Sequence, residues 1–440
     1  MAQSINFKSI NRLAIPATLA GIAEPLLSIT DTAVVGNIPV NGLESLAAAG
    51  IVGSFISMLV WVLGQTRSAI SALVSQYLGA GKLNEIGALP GQAIFFNVGL
   101  SIVLLIITLF FAQPIFELME ASGTILQYCV SYYSIRVWGL PLTLFTFAIF
   151  GIFRGLQNTF WPMLVALVGA LLNIGLDFLL VYGLEGFIQP MYLEGAAWAS
   201  LIAQAVMAIM AFVLLWIKSP ISLKLRFPIH PEMRRLIGMS LNLFVRTLSL
   251  NIALMLAVRE ATALGDRYIG AHTIAINLWL LAAFFIDGYS AAGNSMGGRL
   301  YGADDKKGLW KLAKYVNGYA QIISLVLLIG GLIAYKPIGT LFTKDVVVLQ
   351  TFYAIFPWVI WALPINALAF VFDGLFKGMG QMKYLRNVLL VATFLGFIPT
   401  LYLGKYLHWG LQGIWVAFLV WMALRSFSLW YRFRVMFARS

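Results

Sequence analysis

The sequence predicts an all-α polytopic membrane protein, with twelve transmembrane helices in two parallel six-helix repeats around a central cavity. Three observations carry this fold class. Of the 440 residues, 61% are hydrophobic and 10% charged, and the mean hydropathy is +0.89. A soluble domain carries about 45–50% apolar and about 25% charged residues. Apolar runs of the roughly 20 residues that a membrane-crossing helix needs recur along the chain, and the alternation of barrel strands is missing. Sequence motifs also return at one fixed offset, half a chain apart. Together these exclude a water-soluble enzyme and a disordered tail. The net charge of +12 is the bias that cytoplasmic loops of membrane proteins accumulate, so no nucleic-acid partner is expected.

The first apolar segment, 10–35, follows MAQSINFKSI, which has no cleavable signal pattern, so this helix is expected to direct insertion itself. The second, 45–78, is interrupted by the polar turn Gln65-Thr66-Arg67, which is expected to line the cavity. Segments 86–112, 124–153, 160–184 and 193–217 complete the first six. KSPISLKLRFPIHPE at 218–232 then brings three prolines, three basic residues and no long apolar run, as a linker would. Segments 233–260, 268–300, 310–335, 347–376, 384–404 and 410–433 follow. The expected organisation is a bundle over 1–217, a cytoplasmic linker over 218–232 and a second bundle over 233–440.

Basic residues orient the chain. With the N-terminus inside, twenty lysines and arginines fall in cytoplasmic segments and five in outer ones. Four more, Arg67, Arg136, Arg246 and Arg425, lie within apolar segments. The bias places both termini in the cytoplasm of a cell's inner membrane.

The repeat is read from four blocks. RLAIP at 12–16 aligns with RLIGM at 235–239, YLGAGK at 77–82 with LYGADD at 300–305, and FGIFRGLQN at 150–158 with DGLFKGMGQ at 373–381, all at an offset of 223. LEGAAWAS at 193–200 aligns with LQGIWVAF at 411–418 at an offset of 218. Six helices per repeat make the two halves parallel, related by an axis along the membrane normal. Two such bundles can rock and open a central cavity to alternate sides, which points to a transporter.

An ionisable group at the centre of a membrane helix costs about 2.5–3.5 kcal/mol on insertion scales, so each is a functional candidate. The first helix carries Glu24 and Asp31 two turns apart, with Pro25 between them and Pro16 further back. A proline cannot donate to the carbonyl four residues earlier, so this helix can bend. The fifth segment carries Asn173 and Asp177 at i and i+4, on one face, where they can bind a cation or share a proton with Asp31. At the repeat offset Asp31 and Asp177 correspond to Leu254 and Thr400, so the ion-coupling site is expected in the first half. In the second half Arg246 needs an acid, and Asp287 and Asp373 are the candidates. Arg67 and Gln65 are cavity candidates, while Arg136 and Arg425, nearer segment ends, are expected to snorkel. A lone Cys129 and three scattered histidines leave no disulfide, metal cluster or cofactor site to expect.

These residues resemble the multidrug and toxic compound extrusion (MATE) family over nearly the whole chain. RLAIPATLAGIAEPLLSITDTAVVG is similar to the family's first helix, YLGAGK to the loop after helix 2, and LNIGLDFLL to its Asn…Asp pair in helix 5. FRGLQNTFWPM is similar to the segment between helices 4 and 5, with Asn158 where an Asp is usual. The IDG and FDG motifs at 286–288 and 372–374, with Arg386-Asn387, place the resemblance in the DinF-type branch. The resemblance implies an antiporter exporting amphiphilic or cationic drugs in exchange for H⁺, with Na⁺ as the alternative ion. It also implies that the acid of helix 1, here Asp31, takes the proton and bends the helix. The family's helix-7 acid is missing, since Arg246 holds the middle of that segment and Glu260 its outer end. A monomer among membrane lipids is expected. A flippase for lipids or lipid-linked glycans is the rival reading, kept open by Arg67 and Arg246.

Overall fold

A computed structural model describes residues 5–39, 41–184, 186–221 and 223–438, the side chains of 24–29 excepted. The described residues form helices α1 (Phe7–Gly36), α2 (Gly42–Leu63), α3 (Thr66–Gly79), α4 (Leu89–Phe110), α5 (Ala112–Leu118) and α6 (Gly123–Arg136). Then come α7 (Gly139–Gly155), α8 (Phe160–Tyr182), α9 (Tyr192–Lys218), α10 (Glu232–Leu264), α11 (Asp266–Gly302) and α12 (Lys306–Phe342). The last are α13 (Val346–Trp361), α14 (Leu363–Gly378), α15 (Met382–Val391), α16 (Ile398–Tyr406) and α17 (Gly410–Phe437). A π-helical turn, Ala392–Phe397, joins α15 to α16 in one crossing.

The fold is all-helical and membrane-spanning. Among the described residues, nine continuous helical stretches are long and apolar enough to cross a bilayer, and two bent pairs raise this to eleven. Helix α1, with 30 residues, is about 45 Å long at 1.5 Å per residue and is also long enough to cross. The total is close to the twelve apolar segments of the sequence.

The repeat reappears in the element boundaries. Helix α3 ends at Gly79 and α11 at Gly302; α7 ends at Gly155 and α14 at Gly378, each pair 223 residues apart. The two bent pairs, α6 with α7 and α13 with α14, correspond under that offset, and both bend by 45°. Pro141 and Pro364, also repeat-related, follow the two breaks, and each leaves a carbonyl near the break without its helical donor.

Contacts group the chain into two compact units. The first comprises Leu19–Val74 and Lys82–Ile237. Its core gathers Val34, Val35, Phe116, Tyr133 and Val181. Helix α7 crosses α3 at glycines: a Cβ on Gly151 would meet the Arg67 carbonyl, and one on Gly155 the Ser71 carbonyl. The linker is fastened within this unit by Gln92 of α4, whose amide nitrogen donates to the carbonyls of Arg226 (2.7 Å) and Pro228 (3.1 Å). Its amide oxygen accepts from the His230 N–H (2.8 Å).

The second unit comprises Met1–Thr18, Ser75–Gly81 and Gly238–Ser440. Trp415, Phe418, Trp421 and Phe397 centre one core, and Phe372, Phe376 and Phe433 another. Ile10 and Leu13 of α1 complete the second core, and the Tyr289 hydroxyl donates to Asn11 Oδ1 (2.8 Å). The glycine crossing recurs here, with Gly374 against the Ser290 carbonyl and Gly378 against the Asn294 carbonyl, again at the 223 offset. Gly79 lies against the Arg299 backbone and Gly302 against the Gln76 backbone, a reciprocal contact between repeat-related residues. Such reciprocity is the signature of a two-fold relation.

Candidate functional site

The side chains that the sequence singles out in helices 1 and 5 meet in the first unit. Asn173 and Asp177 lie one turn apart on α8, and both are buried, Asp177 completely. The Asn173 amide nitrogen donates to Asp31 Oδ1 (2.9 Å) and to Asp177 Oδ2 (2.7 Å). One amide group therefore bridges the carboxyls of α1 and α8. The Tyr182 hydroxyl donates to the Val34 carbonyl (2.8 Å), fastening the ends of the same two helices.

The two carboxyls are thus tied to one donor rather than to two. Asp177 Oδ1 is buried and has no donor among the described residues. A protonated carboxyl gains an O–H donor, so a proton on one of the acids would change what this cluster can bond. Asn173 turns its N–H₂ group, not its oxygen, to both acids, so this amide is not placed to ligate a metal cation.

Two residues of α6, Tyr132 and Arg136, lie one helical turn apart, and Tyr132 is buried. The expectation that Arg136 snorkels is overturned: it is the last residue of α6, at the break of a bent span, and half-buried. The break at 137–138 turns a residue near the middle of 124–153 into a helix terminus.

Pro16 is half-buried within α1, which continues unbroken past it. Glu24 and Pro25 lie outside the residues whose side chains are described. Gln65 donates to the Trp61 carbonyl (3.4 Å) at the α2–α3 break, and Arg67 stands over the Phe147 ring at 4.8 Å.

In the second unit Arg246 pairs with Asp373 through Nη2 and Oδ1. Lys377, one turn further along α14, holds the other Asp373 oxygen at 2.9 Å. Asp287 is not Arg246's partner, and it is not buried: it is exposed on α11, while its neighbour Gly288 packs against Ala14 and Thr18. Arg425 does not snorkel either. It is 2% exposed, stacked on Trp421 (5.0 Å) and Phe370 (5.8 Å), with Nη2 unpartnered among the described residues.

The family profile described as MatE matches residues 16–179 and 243–403, most of both repeats, including Asp31, Asn173, Asp177 and Asp373. The chain belongs to the MatE family. This MatE protein is thus a membrane transporter rather than an enzyme. It is 27% identical over 430 residues to the DNA damage-inducible protein F of Escherichia coli K12, covering 96% of this chain and 91% of that one. It is 26% identical to a probable multidrug resistance protein NorM of Xanthomonas axonopodis pv. citri, over 96% of this chain and 92% of that one. Among solved structures, a MATE crystal structure in the bent conformation superposes with a TM-score of 0.90 at 21% identity, covering 98% of this chain and 95% of that one. The outward-facing conformation of a multidrug resistance MATE transporter gives 0.88 at 22% identity, covering 98% and 96%. At these identities the structures speak for the fold, which the MatE chain shares nearly end to end.

Proposed function

We propose that this MatE protein is a multidrug efflux antiporter of a cell's inner membrane, exporting amphiphilic or cationic organic compounds in exchange for protons. The observation that carries the ion is the buried Asp31–Asn173–Asp177 cluster, with one acceptor oxygen, Asp177 Oδ1, left for a proton. The amide donor facing both acids favours H⁺ over Na⁺, because a hard cation is held by oxygen atoms. The export of drugs is supported by the family and by the multidrug name that the NorM relative carries.

In this reading Asp31 takes a proton from outside, which removes the charge that holds a cationic substrate. Helix α1 is the element that carries the change, because residues 7–18 belong to one compact unit and residues from 19 onward to the other. Pro16, at the end of the first stretch, and Pro25 would let it bend. The repeats 1–217 and 233–440, joined by 218–232, would rock about α1, with both termini cytoplasmic and the protein acting as a monomer.

The test adds tetraphenylphosphonium, a lipophilic cation, to detergent-purified protein and measures released protons. Release by the wild type that vanishes in Asp31→Asn supports the reading. Equal release by both removes Asp31 from the exchange. Binding with no release in either points to another coupling ion.

A further inference from the structure

Helix α12 has 37 residues, about 55 Å at 1.5 Å per residue, against a hydrocarbon core of about 30 Å. Its N-terminal turns carry charge. Lys307, Lys311 and Lys314 follow one another at intervals of four and three, so they share one face, and all three are exposed. The same intervals carry that face through Gly318 to Ile322, Leu325, Ile329 and Leu332, all exposed as well. One stripe of α12 is thus cationic over about two turns and then apolar over about three.

Rings hold the charged end in place. The Lys314 ammonium stands over the Trp310 ring at 5.5 Å, and that of Lys311 over the Tyr315 ring at 5.9 Å. Trp310 stacks in turn on Phe433 of α17, with centroids 6.1 Å apart, and the residue after Phe433 is the exposed Arg434. Among the described residues no carboxylate forms an ion pair with any of these four cations. Asp304 and Asp305 precede the helix, and Asp305 is engaged in capping it, accepting from the Gly308 N–H at 2.7 Å. The charge bias that orients the chain accounts for cations at this end of the molecule. It does not account for three of them lying in line with an exposed apolar stripe.

We propose that this face of α12 binds an anionic phospholipid, with the phosphodiester on Lys307, Lys311 and Lys314 and the acyl chains along residues 322–332. Charge and shape together select this occupant. A soluble phosphate would leave the apolar stripe uncovered, and a zwitterionic lipid brings a cation of its own toward the lysines. Each lysine near an anionic headgroup contributes about five-fold in occupancy. Such a lipid would bind whichever ion drives transport.

The test places the full chain in phosphatidylcholine nanodiscs. A trace of phosphatidylglycerol, or of phosphatidylcholine, carries the same photoactivatable acyl chain, and labelling of residues 318–333 is read by mass spectrometry. The wild type should be labelled about ten-fold more by the anionic probe. That excess should fall about five-fold in Lys311→Gln. It should vanish in Lys307→Gln/Lys311→Gln/Lys314→Gln and persist in Lys307→Arg/Lys311→Arg/Lys314→Arg. Three exposed lysines elsewhere, changed as Lys82→Gln/Lys344→Gln/Lys383→Gln, should leave it unaltered. Equal labelling by the two probes in the wild type overturns the proposal. So does an excess that survives the first triple variant, or one lost equally in the distant triple variant. Glycerol phosphate added in excess should not compete; competition would make this a site for soluble phosphate and end the assignment to a lipid.

Discussion

Asn173 is the residue on which the first-unit cluster turns, because one amide nitrogen serves both acids. Asn173→Leu would leave two carboxyl oxygens without their donor, at about 1–3 kcal/mol each if they stay buried. We expect drug-driven proton release to be lost and thermal stability to fall, read by a melt in detergent. The second-unit charges behave differently. Asp373→Leu strands Arg246 and Lys377 and should cost about 3–5 kcal/mol. Arg425→Met removes a buried cation whose neighbours are rings and a sulfur, and the same melt should show it near neutral or stabilising. Asn173 and Asp177 were legible in the sequence because i, i+4 spacing puts them on one face whatever the tertiary fold. The choice between Asp287 and Asp373 was not, because periodicity does not say which face of α11 is packed; there it is Gly288 that meets α1.

At the scale of elements, hydropathy located the long apolar helices, since it reports length and apolar content directly. The bends were missed because each bent pair keeps its apolar character through the break, although Pro141 and Pro364 mark both places. Helix crossings at glycine carry the next prediction. Gly155→Val and Gly378→Val insert a side chain where backbone carbonyls of α3 and α11 already lie, and each should lower expression and melting temperature. Gly50→Ala, which meets nothing within 4 Å, should be neutral or gain up to about 1 kcal/mol of helix propensity. Equal damage at all three positions would mean that the crossings are not close-packed. Sequence comparison of the halves pointed to these glycines as a repeat, but only the structure shows what they touch. The sequence marks 218–232 as a linker, but not that Gln92 binds its backbone at three points.

For the whole molecule, the repeat and the charge bias together predict a topology with both termini in the cytoplasm. With buried Cys129 replaced, a single cysteine at Lys307 should react with an impermeant thiol reagent from the cytoplasmic side alone, and one at Lys344 from the outside alone. The halves are alike in boundaries and glycine crossings yet unlike in charge: the first holds an acid pair bridged by an amide, the second an acid locked between two cations. The proposed ion exchange is therefore assigned to the first unit, and α1 has residues in both units. The most direct measurement is efflux of tetraphenylphosphonium from proteoliposomes under an imposed pH gradient or an imposed sodium gradient, for wild type and Asp31→Asn. The account predicts efflux driven by the pH gradient alone, absent in the variant. Efflux driven by sodium, or a pH-driven rate unchanged in Asp31→Asn, would contradict it.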